Sequence, residues 1–270
     1  MRRTIARIAA IACAAAWLIG CAGLPTDTAH RTLALLPADA ILLGEQHDAP
    51  DHQRIHSEAV QALAAQGQLA ALVLEMAEQG HSTTGLPRGA SAAEVQAALA
   101  WNDAGWPWAA YGPAVMAAVQ AGVPVLGANL PRTQMRDAMA NTRLDGALPG
   151  PALKAQQQAI RLGHCGLLPE SQIGPMTRIQ IARDQAMAQT LQAAAVPGKT
   201  VLLLAGAGHV DGSLGIPQYL PENFKPKTVL LQIAPTQEAP KSIVNFDSTW
   251  VTPSIPATDY CADLQSKMPG

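Results

Sequence analysis

Two short apolar runs that end alike constrain this chain more than any other feature of its sequence. Ile41-Leu42-Leu43 leads into Gly44-Glu45-Gln46-His47, and Val201-Leu202-Leu203-Leu204-Ala205 leads into Gly206-Ala207-Gly208-His209. Apolar runs this short and unbroken read as strands buried on both faces, which is the habit of parallel sheets covered by helices. Ala70 to Leu74, Val123 to Leu126 and Val229 to Ile233 have the same character. Between them lie helix-like segments. Asp51 to Gln66 places Ile55, Ala59 and Leu63 four apart, and Ser91-Ala92-Ala93-Glu94 is a capping-box signature ahead of Val95 to Trp101. Gly112 to Ala121, Arg132 to Asn141, Leu153 to Leu162 and Met176 to Ala195 are further helical candidates. Strands alternating with helices predict an α/β fold, a layered and mainly parallel sheet flanked by helices. Ile243 to Val251 reads as an edge strand. The proline and glycine breaks at residues 86–89, 148–151 and 196–198 punctuate a single domain, and no internal repeat is visible.

The amino terminus carries Arg2, Arg3 and Arg7 ahead of the apolar stretch Ile8 to Ile19. Charge followed by a short greasy segment is the pattern of an export signal, too short for a membrane-spanning helix. Leu18-Ile19-Gly20-Cys21 resembles a bacterial lipobox. That resemblance implies a signal peptide over 1–20, cleavage before Cys21, lipid on its sulfur and a lipidated tether over 21–37, leaving 38–270 as one domain. Ala22 after the cysteine implies sorting to the outer membrane, facing the periplasm. Loss of the three signal arginines leaves 15 basic against 20 acidic residues, a formal charge of −5, which argues against nucleic acid as a partner. With 49% hydrophobic and 14% charged residues the remainder has ample material for a packed core. Cys13 leaves with the signal and Cys21 takes the lipid, so Cys165 and Cys261 remain, and an oxidising compartment makes their pairing plausible.

Ligands of open α/β sheets gather outside the carboxyl ends of the strands, so Glu45, His47 and His209 are expected at one crevice. Glu45 and His47 are two apart, which in extended backbone sends both side chains to one face, where they could hold a divalent metal with His209 or relay a proton. Glu75, after Leu72-Val73-Leu74, is expected at the same edge; a buried carboxylate needs a partner, and Arg183, His209 or a cation are candidates. His52 and His56, four apart on the following helix, read as solvated. Met176, Gln180, Arg183 or Asp184, Met187 and Leu191 fall along one face of their helix, a mixed stripe that suits a paired network at the border of the site. Trp101, Trp106, Trp108 and Tyr111 lie within one short segment of a chain that is only 4% aromatic, suited to a flat apolar ligand or a dimer surface. No GxSxG, GxxxxGK[ST] or complete GxGxxG motif occurs.

Leu43-Gly44-Glu45-Gln46-His47-Asp48, Leu74-Glu75-Met76, Trp108-Ala109-Ala110-Tyr111-Gly112-Pro113, Ala128-Asn129-Leu130-Pro131-Arg132, Gln180-Ile181-Ala182-Arg183-Asp184 and Gly206-Ala207-Gly208-His209 together resemble the ChaN-type haem-binding lipoproteins of the Tiki, TraB and erythromycin-esterase grouping. The resemblance runs from about Leu36 to Ala234. It implies a ChaN-like α/β fold that binds haem, with two copies sharing the surface as a homodimer, in iron and haem acquisition alongside haem receptor or transporter components. Tyr111 is then the first candidate for the iron ligand, since tyrosinate is an established axial ligand. His47 and His209 are alternatives, and Arg132 or Arg183 would pair with propionates. The competing reading from the same grouping is a metal-dependent envelope hydrolase of esterase or peptidase type built on Glu45, His47, Glu75 and His209.

Overall fold

A computed structural model of the chain describes residues 27–235 and 245–267. In chain order the elements are α1 (Asp27–Leu33), β1 (Ala40–Glu45), α2 (Pro50–Ala65), β2 (Leu69–Glu78), α3 (Ala92–Ala98), α4 (Trp108–Ala121), β3 (Val125–Asn129), α5 (Met135–Ala140), α6 (Gly150–Gly163), α7 (Glu170–Ala194), β4 (Thr200–Gly206), α8 (Ala207–Val210), β5 (Pro226–Ile233), β6 (Ser248–Thr252) and α9 (Tyr260–Lys267). The strands form one sheet in the order β3-β2-β4-β1-β5-β6, every pair parallel.

Strand alternation divides the apolar runs between two cores. Ile41, Leu43, Leu72, Leu74, Leu202 and Leu204 point to one face, where Ile55, Ala59 and Leu63 of α2 and Ala114, Val115 and Ala118 of α4 cover them. Leu42, Val73, Val201 and Leu203 point to the other, against Met187 and Leu191 of α7 and Val210 of α8. The chain therefore leaves β1 toward one face and β4 toward the other, and the two strands are neighbours. Adjacent parallel strands whose connections diverge open a crevice at their carboxyl ends, the usual ligand position of such sheets. Gly44 lets the layers close there: a Cβ on it would lie 3.0 Å from Ala207 Cα and 3.1 Å from Val210 Cβ.

Local chemistry explains the helix ends nearest the site. Pro50 opens α2, where a missing N–H costs nothing. Ser91 and Glu94 form the expected capping box at α3. Gly122 ends α4 at φ 77°, a left-handed conformation that glycine adopts without strain.

The tether expectation needs correction at its far end. From Asp27 to Leu33 the segment is helix, with Thr28 and Thr32 buried and the Arg31 guanidinium 4.6 Å from the Trp250 ring. The signal segment, Cys21 and the first tether residues lie outside the described residues. The edge strand begins at Ser248, inside the expected span, whose first two residues also lie outside the description. α7 starts at Glu170, ahead of the expected Met176. Cys165 and Cys261 are joined by a disulfide, their Cα atoms 5.6 Å apart, and this ties α9 to the turn after α6.

Candidate functional site

Glu45, the last residue of β1, is 2% exposed and faces α2 and α4. Its Oε1 accepts hydrogen bonds from His47 Nδ1 at 2.8 Å and from the Tyr111 hydroxyl at 2.7 Å. On its other side His56 Nδ1 stands 3.6 Å from Oε2, and neither ring nitrogen of His56 has a hydrogen-bond partner among the described residues. Burial raises the pKa of Glu45, but His56, His47 and Tyr111 outweigh it and hold the carboxyl below its ordinary range.

Glu75 faces the opposite side of the sheet, toward α7. One carboxylate oxygen accepts from Arg183 and lies 3.4 Å from His209 Nε2; the other accepts from the backbone N–H of Gly206 at 2.6 Å. Burial opposes the charge, yet the cations His209 and Arg183 keep Glu75 far below the usual carboxylate range. His209 Nδ1 pairs with Asp184 Oδ1 at 2.5 Å, and the Gln180 amide lies 3.0 Å from the same nitrogen. Burial lowers the His209 pKa, but Glu75 and Asp184 overcome it and raise it to about 9. Asn129 completes the network, donating to the Glu75 carbonyl and accepting from Arg183 Nε.

The two clusters meet at Gly206, which pairs in register with Glu45. A Cβ there would come within 2.9 Å of His47 Nε2 and 3.5 Å of Glu75 Oε2. His47 stacks edge-on against Trp106 at 4.8 Å, and Trp106 in turn packs on Tyr111. The aromatic cluster and the strand-end site are thus one place. Beside them a cavity of about 380 Å3 is lined by Glu75, Met76, His81, Trp106, Arg132 and Arg183, among others. A larger one, about 650 Å3, opens at the opposite edge of the sheet between Leu36, Lys199 and Lys225, away from every acid–histidine pair described above.

Several expectations change. His52 and His56 are buried, not solvated: His52 Nδ1 accepts from the backbone N–H of Gln46 at 3.0 Å, and its Nε2 lies 3.2 Å from Thr252 Oγ1. Tyr111 is only 1% exposed and its hydroxyl is committed to Glu45, with burial and that carboxylate pushing its ionisation upward. The phenol is thus enclosed, its oxygen turned to Glu45 beneath Trp106. Glu45, His47 and His209 do not converge as a metal triad, because His209 turns to Asp184 and Glu75 while Glu45 is taken by His47 and Tyr111. Among the described residues no group of three or more His, Cys, Asp or Glu side chains is placed to hold a metal ion. Arg183 is locked between Glu75 and Asn129, whereas Arg132 stays 74% exposed, 3.9 Å from Glu78. Tyr260 and Asp48 meet at the mouth through a contact that no local sequence pattern signals.

Fold and site define a class: a parallel α/β protein with buried acid–histidine pairs on both faces of the sheet, converging at a switch-point crevice beside an aromatic wall. The chain belongs to the haem-binding uptake family of the Tiki superfamily, ChaN, whose model matches residues 32–220. The structure of ChaN of Campylobacter jejuni with cofacially bound haem resembles it with a TM-score of 0.61 and 26% identity, covering 78% of this chain and 87% of that one. The type III effector HopBA1 is similar with a TM-score of 0.42 and 15% identity, over 80% and 87%. No curated protein matches the chain.

Proposed function

We propose that this chain binds haem at the crevice where β1 and β4 end, with His47 as iron ligand, and that it serves haem or iron uptake as a lipid-anchored envelope protein. The state of the His47 imidazole carries this reading. Its side chain is 40% exposed, its Nδ1 is held by Glu45, and its Nε2 has no hydrogen-bond partner among the described residues. Because Gly206 lacks a Cβ, which would come within 2.9 Å of that nitrogen, the ring can rest close against the end of β4. A ligating histidine whose other nitrogen donates to a carboxylate has its ring orientation and tautomer fixed. Trp106 offers an apolar wall, and the exposed guanidinium of Arg132 suits a propionate. When bound, haem supplies the iron chemistry; the protein supplies the donor, the wall and the counter-charge. His209 and Arg183 serve the buried network and Tyr111 supports Glu45. Family membership and the haem bound by the Campylobacter relative favour the ligand, and the cofacial arrangement there favours two copies of this chain sharing it. The lipobox-like Cys21 supports the outer-membrane anchor.

Titration of the mature protein with ferric haem, followed by visible absorption, tests the reading. Wild type is expected to give a saturable, sharpened Soret band, His47→Ala to lose it, Arg132→Ala to weaken it, and Tyr111→Phe to keep its shape. A broad, unsaturable band in wild type would overturn the reading. One observation favours an enzyme instead: two acid–histidine pairs, Glu45–His47 and Asp184–His209, approach a single crevice. Hydrolysis of ester or peptide panels by wild type, abolished in His209→Ala, would support that alternative.

A further inference from the structure

The first residue of α9 reaches the mouth of the site from far along the chain. Tyr260 is half exposed; its hydroxyl donates to Asp48 Oδ2 at 2.5 Å and accepts from Gln46 Nε2 at 3.0 Å, while the same amide donates to Asp48 Oδ1 at 2.9 Å. The three side chains close a ring across the two neighbours of His47. From the α2 side the loop is held separately, by Gln46 N–H donating to His52 and by Gln53 donating to the His47 carbonyl.

An exposed ring of this kind is weak by itself, because water competes for every partner. What keeps the phenol at Asp48 is the next residue. Cys261 is bonded to Cys165, a bridge between residues 96 apart in sequence. Its anchor point lies just beyond α6, which a two-pronged pair from Arg161 to Glu170 fastens to the start of α7. The disulfide therefore converts a loose terminal contact into one of high effective concentration.

We propose that Tyr260 is a positioning residue of the ligand site, a disulfide-held latch that fixes the loop 46–48 and so aims the imidazole of His47. Its consequence for ligand affinity rests on the haem reading above; the latch itself does not.

The experiment uses the mature chain as wild type, as Tyr260→Phe, as the pair Cys165→Ser with Cys261→Ser, and as all three substitutions together. Amide hydrogen exchange of the segment 45–50 is measured without haem, and each protein is then titrated with ferric haem. Tyr260→Phe and the cysteine pair are each expected to raise exchange in that segment about tenfold, the factor that corresponds to 1.4 kcal/mol, and to weaken haem similarly. The triple variant should do no more than either, since both changes release one device. Unmoved exchange in Tyr260→Phe, or effects that add, would overturn the latch. Phe keeps the ring, so this variant remains decisive if the cysteine pair fails to fold. Wild type that binds no haem while exchange follows the expected pattern would refute the haem reading and leave the latch standing. Haem binding with unmoved exchange would do the reverse.

Discussion

His209 illustrates how a single buried group is decided by its neighbours. Burial alone would strip its proton, yet it lies between Glu75 and Asp184 and its pKa is raised to about 9. A folded-state pKa above the unfolded value near 6.5 means that the charge stabilises the fold fully below about pH 6.5 and ceases to do so as pH rises through 9. Asp184 works in the same sense at lower pH: burial raises its pKa to about 6, so ionising it against that burial erodes stability as pH climbs through that value. Glu75, held low by His209 and Arg183, guards the acid side, where its contribution fades only as pH falls through its depressed pKa. Urea unfolding of wild type between pH 6.5 and 9.5 should therefore lose on the order of 2–3 kcal/mol that His209→Gln does not lose. Equal slopes in the two proteins would show that His209 is not charged in the fold. Much at this scale was legible. The two-residue spacing of Glu45 and His47 put both on one face, and the buried carboxylate at Glu75 called for Arg183 or His209. The burial of His52 and His56 is legible too, although their four-residue spacing taken alone suggests a solvated pair. Positions 52, 55, 56, 59, 60 and 63 form one helical stripe, and that stripe is the buried face of α2. Both imidazoles belong to that buried face, His52 hydrogen-bonded to Gln46 and near Thr252, His56 facing Glu45.

At the scale of elements the sheet does more than bring residues to one edge. Strand alternation sends Glu45 toward α2 and α4 and Glu75 toward α7, so the two acids share the expected carboxyl edge but occupy opposite faces of the sheet. The two clusters come together where β4 runs out, at Gly206. Sequence gave the strands and their polar ends, but strand order is set by long-range pairing, and nothing local signals that β4 inserts between β1 and β2. Gly206 has ordinary dihedrals, φ −59° and ψ 145°, so glycine is needed there for space, not for backbone freedom. Gly206→Ala should press on His47 Nε2, an atom at the movable end of a side chain. A stability loss of about 1 kcal/mol is expected, at the low end of overpacking costs. Haem affinity should fall about tenfold or more, equivalent to 1.4 kcal/mol, because the ring that is aimed by Glu45 is displaced. Thermal melts and haem titration in parallel check this, and unchanged binding would mean that the space beside His47 is not used.

Across the whole molecule, the two ends of the folded chain are fastened close to the sheet's outer strand and to the site. α1 packs against β6 through Arg31 and Trp250, and α9 is stapled by Cys165–Cys261 with Tyr260 at the mouth. The cysteine count prepared the ground for that disulfide by leaving Cys165 and Cys261 after the two amino-terminal cysteines, whereas the helical state of Asp27–Leu33 was hidden by its polar composition. Its burial comes from contacts with α2 and β6, which a local reading cannot supply. The central claim remains that the switch-point crevice holds haem on His47. Crystals grown with ferric haem, measured at the iron absorption edge, test it most directly. The account predicts an anomalous peak within bonding distance of His47 Nε2, between the Trp106 wall and Arg132. An iron peak bonded elsewhere, with the His47 imidazole still resting against Gly206 and free of metal, would contradict it.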